Sequence, residues 1–571
     1  MRSTARQVHY ILKFFKKEKI FFLIFSMFLV SILELIGISL VIPFVTSIIE
    51  PEYIDGRLLK YLENYIDISK KSSFSGILIL LILMFYLLKN IFVIFVISKQ
   101  WKYSMNIITL IRVEFFKRYL NSRYIDFIKK DYSEQVSNIM NVSATFGATF
   151  IVNLLIFISE FLIVFSIITL LFIFNFKLTF FLIVIFLIII SIYYKFISKK
   201  LKRAGLKKVE SDEKILSHTK LSFNNIKELK LFNKIDYFLE LFSKNAKESE
   251  ISNYFYQVSA QYPRIGMEIF AILGICVLTL SMNFLNYKSI EIVTTLAFYG
   301  VSIFRILPSA NKLMFSFQSV RFAKESLNII YKELKNNEVS ESKVILGKKI
   351  NFLNEISIEN LTFGYEEKSL IFKKLNFNIK KGSFVAIKGK SGSGKTTLID
   401  ILMGLIMPLS GQIKVDDNNI YNDLYQWRDR CGYVPQNISL MHDTIASNVA
   451  FGVAKKDINL EKIKSSLKIA GLKNFVNSLQ EKENTLIGDN GLTMSGGQRQ
   501  RLAIARAIYR DPDIIFFDEA TSALDKEMEK EVINSINSLK GKITIILISH
   551  NKELYKNCDK IIDLDQGLIN E

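Results

Sequence analysis

Gly389-Lys390-Ser391-Gly392-Ser393-Gly394-Lys395-Thr396 decides how the second half of this chain folds. Phe384-Val385-Ala386-Ile387 before it reads as a short buried strand, and Leu398-Ile399-Asp400-Ile401-Leu402 after it reads as a helix. A glycine-rich turn between a strand and a helix is the setting of a phosphate loop. Backbone N–H groups approach the phosphates, the lysine neutralises β and γ oxygens, and the helix N-terminus adds attraction. The candidate cradle is therefore Gly389, Lys390, Ser391, Gly392, Ser393, Gly394, Lys395, Thr396 and Thr397, with Thr396 also suited to Mg2+.

Downstream, Ile514-Ile515-Phe516-Phe517-Asp518-Glu519 has the pattern of a buried strand ending in two carboxylates. Asp518 suits the Mg2+ shell, and Glu519 suits the orientation of an attacking water. Between the two lies Met494-Ser495-Gly496-Gly497-Gln498. Order and spacing make a chance match negligible.

Upstream the composition changes. Half of the 571 residues are hydrophobic, with 47 Phe, 24 Tyr and only 7 Pro, which points to membrane helices over several soluble domains. Apolar stretches near 20 to 49, 76 to 97, 151 to 174, 178 to 194, 264 to 285 and 290 to 316 each reach or approach the roughly 20 residues that span a bilayer. The first is too long for a signal-peptide core and is expected to stay uncleaved. Lys and Arg crowd 98 to 130 and 195 to 234, while the turns at 175 to 177 and 286 to 289 are short, so both termini are expected in the cytosol. The formal charge of +20 follows from this topology, because the basic residues flank spans and form no single stripe for a nucleic acid. Cys276, Cys431 and Cys558 are far apart, with neither disulfide framework nor zinc spacing.

The expected organisation is a six-helix transmembrane domain over 1–325, a polar linker over 326–350, and a nucleotide-binding domain over 351–571. A short amphipathic outer helix is expected near 53–70, as a bundle cap or a lipid-facing surface. Segments 98 to 145 and 195 to 262 are expected to carry the spans as helices into the cytosol. Their turns, Arg123-Tyr124-Ile125-Asp126-Phe127 and Phe232-Asn233-Lys234-Ile235-Asp236-Tyr237, mix aromatic and charged residues, as a docking surface would; an ordinary helix turn is the alternative.

On these motifs residues 351 to 571 resemble the nucleotide-binding domain of ABC transporters, with Ser495-Gly496-Gly497-Gln498 as the signature. The resemblance implies a polytopic α-helical membrane domain of exporter type joined to an α/β P-loop ATPase, with ATP and Mg2+ as cofactors. It also implies roles. Tyr365 would stack on adenine, Gln436 of Tyr433-Val434-Pro435-Gln436 would join the Mg2+ shell and link nucleotide to membrane helices, His550 would contact the γ-phosphate, and Asp525 would bridge two subunits. Asp489 stands where that family usually has Glu, and Met494 where it has Leu; both keep the local chemistry. The signature serine would reach the nucleotide of a facing copy, which implies a dimer, and an intact ATP site favours a homodimer.

In the membrane half, Glu34 to Phe44, Tyr262-Pro263-Arg264-Ile265 and Arg305-Ile306-Leu307-Pro308-Ser309-Ala310-Asn311-Lys312 look similar to flippases of lipid-linked oligosaccharides in a bacterial cytoplasmic membrane. At about 1.5 Å per residue, Lys89 and Arg305 lie roughly 20 Å deep, with Arg264 and Lys312 deeper. Facing lipid, each would cost about 2.5 to 3.5 kcal/mol, so they are expected to meet a cavity or a partner. Two readings stay open. The four cations hold a diphosphate-linked headgroup, or they pair with Glu34, Glu160 and Glu268. Cargo alternatives are another lipid, a drug or a peptide, although no peptidase-like Cys and His pair precedes the first span. An ATP-gated channel or regulator is a further alternative.

Overall fold

A computed structural model describes residues 2–13, 17–40, 71–174, 176–284, 289–336, 352–366, 369–488, 494–519, 533–534, 536–549, 555–565 and 568–570. The chain divides into two compact units, Met1–Ser122 with Ile128–Ser340, and Arg123–Phe127 with Glu341–Glu571.

The first unit is helical. Helices run through the described parts of all six expected apolar stretches: Lys17–Ser39, Lys71–Leu120, Val152–Phe174, Phe176–Asn224, Tyr262–Phe284 and Ser289–Phe322. Among the described residues, four helical stretches are long and apolar enough to cross a membrane: Ile20–Ser39, Ile79–Leu120, Tyr132–Ile173 and Ile235–Phe284. The helix Lys71–Leu120 has 50 residues, about 75 Å at 1.5 Å per residue, so it outruns a bilayer. Its outward face carries exposed Leu80, Leu83, Leu87 and Ile91, and Phe115 is buried further along.

Helices pack closely where side chains are small. A Cβ on Gly205 would sit 1.9 Å from the carbonyl oxygen of Phe322, so glycine alone permits that crossing. The expected cytosolic extensions are helical but interrupted. Two wide π-helical stretches, Asn138–Val142 and Thr145–Ile151, precede Val152. Arg112 donates to the Ile139 and Met140 carbonyls at 3.2 and 3.1 Å, and Ser104 to the Gly147 carbonyl at 2.6 Å, satisfying acceptors there.

The linker expectation needs correction. Residues 326 to 336 belong to the helix Lys324–Asn336, with Leu327, Ile330 and Leu334 buried in the membrane unit's core. Three apolar residues at i, i+3 and i+7 make a stripe that a polar average conceals. Glu333 receives Lys130 at 2.9 Å, and the Leu334 carbonyl receives Arg118 at 2.7 Å. The expected outer helix near 53–70 and residues 337–350 of the linker lie outside the described residues.

The second unit is built on a six-stranded sheet in the order Leu568–Asn570, Lys560–Asp563, Phe384–Lys388, Thr544–Ile548, Ile514–Asp518, Cys431–Val434. All its pairings are parallel except the first. Ile514, Ile515, Phe516 and Phe517 are completely buried, as strands covered on both faces require. An antiparallel sheet of Phe372–Lys380, Glu355–Phe363, Ser410–Val415 and Asn418–Asn419 completes the unit. The turn Arg123–Phe127 groups here, with Ile125 packed against the core that includes Leu398 and Trp427. The other candidate docking turn, around Phe232, stays in the membrane unit.

Candidate nucleotide site and membrane charge cluster

Parallel strands of an open sheet direct their C-terminal ends toward ligand. Phe384–Lys388 leads there into the glycine loop, and the helix Lys395–Leu402 leaves it. Gly394 has φ 92°, and a Cβ there would meet Ile371 Cγ2 at 2.5 Å, so both conformation and space demand glycine. The Lys395 ammonium donates to the carbonyls of Gly389 and Lys390 at 2.9 and 3.0 Å. It curls over the loop that it would share with phosphate. Asp565 accepts from the Lys390 N–H at 2.8 Å and so pins the loop's start.

Thr396 Oγ1 donates to Asp518 Oδ1 at 3.2 Å, joining the loop to the adjacent acidic strand end. Burial, and after it the charge of Asp518, pushes the Asp400 carboxyl up to about 6. Burial also raises Asp518, against the lowering effect of the Thr396 hydroxyl. Thr396 and Asp400 stand four apart on one helix face, a signal sequence reasoning passed over. The site is thus a patch of oxygen donors with crowded negative charge.

Glu519 adopts φ 48°, left-handed for a residue with a Cβ, while its N–H donates to the Ile548 carbonyl at 3.2 Å. Such strain persists only where neighbours over-determine it. Gln436 Nε2 donates to Glu519 Oε2 at 2.8 Å, so two of the expected site residues lie in contact. Tyr365 is part-exposed, lies edge-on to Phe363, and its hydroxyl is 3.3 Å from Thr397 Oγ1. Tyr124, of the turn Arg123–Phe127, has its phenol raised by burial first and then by Asp400. That residue is a site neighbour that no spacing in the sequence announces.

The Ser495 hydroxyl accepts from the Gln498 N–H at 3.2 Å, and Gln498 Oε1 accepts from the Ser495 N–H at 2.9 Å. This reciprocal cap starts the helix Gly496–Ile508 with Gly497 buried. His550, Asp525 and Asp489 lie outside the described residues.

Two sequence families match this chain. Residues 20–302 match the ABC transporter transmembrane region, and residues 372–522 match the ABC transporter domain. The chain belongs to the ABC transporters. As a half-exporter it joins one membrane region to one ATP-binding domain. An ATP-dependent lipid A-core flippase of Ralstonia nicotianae is 39% identical over 220 residues, covering 38% of this chain and 37% of that protein. A lactococcin-G-processing and transport ATP-binding protein of Lactococcus lactis is 34% identical over 309 residues, covering 53% and 43%. ABC transporter B family member 13 of Arabidopsis thaliana is 38% identical over 239 residues, covering 41% and 19%. The match thus spans less than half the length of each of these relatives. A bacterial Atm1-family ABC exporter solved with ATP bound shares the fold, at TM-score 0.76 and 20% identity over 97% of this chain and 94% of that one.

In the membrane unit all four cations singled out in the sequence, Lys89, Arg264, Arg305 and Lys312, meet a glutamate. Arg305 grips Glu34 with Nη2 on Oε1 at 2.5 Å and Nε on Oε2 at 2.8 Å, and Lys89 joins Oε2 at 3.1 Å. Lys312 pairs with Glu160 at 2.8 Å, and Arg264 with Glu268 at 3.1 Å one turn along its own helix. Those are the three carboxylates named as the alternative partners. Glu34 and Lys89 are almost wholly buried, whereas Arg264 and Glu268 are exposed on the isolated chain.

Proposed function

We propose that the chain is one half of a homodimeric, ATP-hydrolysing exporter that moves a polyprenyl-diphosphate-linked glycan across the cytoplasmic membrane, with both termini and the ATPase unit in the cytosol. The ATPase reading is carried by Glu519. It is strained, held by Gln436, and adjacent to the Thr396–Asp518 contact, as a residue that must present one oxygen to water would be. Thr396, Asp518 and Gln436 are oxygen donors fit for Mg2+, and Asp400, raised by burial and then by the charge of Asp518, adds a second carboxyl beside them. Mg2+ would supply neutralisation of the phosphate oxygens. Lys395 would add its charge to the β and γ oxygens, and Tyr365 would stack on adenine. Ser495, on its capped helix end, would meet the ATP of the partner. His550 and Asp525 would complete contacts to the γ-phosphate and the second subunit.

The substrate reading rests on Lys89 and Arg305, two cations that share one carboxylate. Arg264 and Lys312 would extend the path for a headgroup with two phosphates. The names of relatives run from a lipid A-core flippase to a lactococcin-G transporter, so another lipid or a peptide is the second reading.

Vesicles containing the purified protein and a fluorescent diphosphate-linked glycolipid test this. ATP should move the label to the opposite leaflet, and dimers with one Ser495→Arg subunit should lose hydrolysis at the partner's site. ATP-independent movement would sink the pump, and movement of a neutral glycolipid at the same rate would sink the anionic cargo.

A further inference from the structure

Two cations on one carboxylate leave the Lys89–Glu34–Arg305 cluster with one net positive charge. No second carboxylate among the described residues lies within ion-pair distance of either cation. Lys89 is 5% exposed and Glu34 4%, so water contributes little to neutralising them. An uncompensated charge in such surroundings is costly, and a second anion would relieve it. The cluster is also geometrically open to exchange. Arg305 is the more exposed member, at 27%, and its fork lies on both oxygens of Glu34, in the geometry with which guanidinium grips a phosphate. Lys89 has a second support, its ammonium lying 4.3 Å from the centre of the Tyr86 ring, so it need not leave when its carboxylate contact loosens. Tyr86 in turn donates to the Gly37 carbonyl at 3.2 Å, three residues beyond Glu34 on the same helix.

We propose that Glu34 is an internal competitor: it occupies the Lys89–Arg305 pair, and a phosphate group of an amphiphile must displace one of its contacts to bind. Glu34 is thus a specificity-determining residue. It sets how strongly anionic a headgroup must be, because a neutral one gives no reason to exchange. This rests on the anionic-headgroup reading above, and deepens it.

The test measures binding of fluorescent farnesyl diphosphate, farnesol and inorganic pyrophosphate to the full chain in nanodiscs. Lys89→Met is expected to weaken farnesyl diphosphate binding, because Glu34 and Arg305 then neutralise each other. Adding Glu34→Gln to Lys89→Met frees Arg305 and should tighten binding on the order of tenfold relative to Lys89→Met alone, with farnesol unchanged. Glu34→Gln by itself should bind more tightly than the parent; if it fails to fold, the Lys89→Met comparison still decides. Double-variant binding no tighter than Lys89→Met, while Lys89→Met or Arg305→Met still weakens it, overturns the competitor role and leaves the headgroup reading standing. No effect of any of these variants on farnesyl diphosphate binding overturns both. Equal tightening for inorganic pyrophosphate would assign the pair to a free oxyanion and overturn the lipid source.

Discussion

Lys395 and Lys89 are both nearly buried, at 7% and 5% exposure, yet the two units neutralise them differently. In the ATPase unit Lys395 leans on two backbone carbonyls, and among the described residues no carboxylate lies within ion-pair distance. In the membrane unit Lys89 meets the carboxylate of Glu34. Carbonyl dipoles orient an ammonium without cancelling its charge, so the full charge stays available to a phosphate. A carboxylate cancels it, and the ligand must then compete. On the proposed reading, the partner distinguishes a buried lysine at a preformed anion site from one at a guarded site, although their burial is alike.

The strongest test of the ATPase side is Glu519→Gln. The amide fits the site but cannot polarise water, so hydrolysis should fall about 10²- to 10⁴-fold while ATP still binds. A purified variant working at a third of the parent rate would remove Glu519 from the role. Lys395→Met comes next. Losing an uncancelled charge should weaken nucleotide binding by roughly 2 to 4 kcal/mol, seen by titration with a fluorescent ATP analogue. If its effect is no larger than that of an exposed lysine such as Lys468, the carbonyl-held ammonium is structural.

Lys89→Met sharpens the contrast from the other side. Glu34 keeps its two-point contact with Arg305, so stability should change by only about 1 kcal/mol in either direction, whereas Arg305→Met, which removes two charge-assisted hydrogen bonds and leaves Glu34 only Lys89, should cost about 2 kcal/mol. Equal losses would mean that the cluster has no dominant partner.

The last effect is confined to one pH range and concerns Asp400, raised to about 6 by burial and then by Asp518. Its native state binds more protons than the unfolded chain between about pH 4 and 6, so its contribution to stability falls as pH rises through that window. Asp400→Asn should therefore stabilise the ATPase unit by roughly 2 kcal/mol at pH 7 without nucleotide or divalent cation, and by little near pH 4. A variant that melts lower at pH 7 would show that the carboxylate is needed for packing.

Much of the nucleotide site was legible because its chemistry is local in the chain. A phosphate loop is made of consecutive N–H groups, so Gly389 to Thr396 must appear together, and the buried run Ile514 to Phe517 must end in its carboxylates. The apolar spans were legible for the same reason, since each helix must satisfy its own backbone within one segment. The helix Lys324–Asn336 escaped notice because its buried face mixes Leu327, Ile330 and Leu334 with the polar Ser326 and Glu333, which lowers its apolar average. Tertiary structure alone decided that Glu34 would take Lys89, 55 residues away, and Arg305, 271 away, in preference to leaving either for Glu160 or Glu268. It also decided that Asp400 would crowd Asp518. Charge pairing depends on which faces the packed helices and strands turn toward one another, and that is absent from any single stretch of sequence.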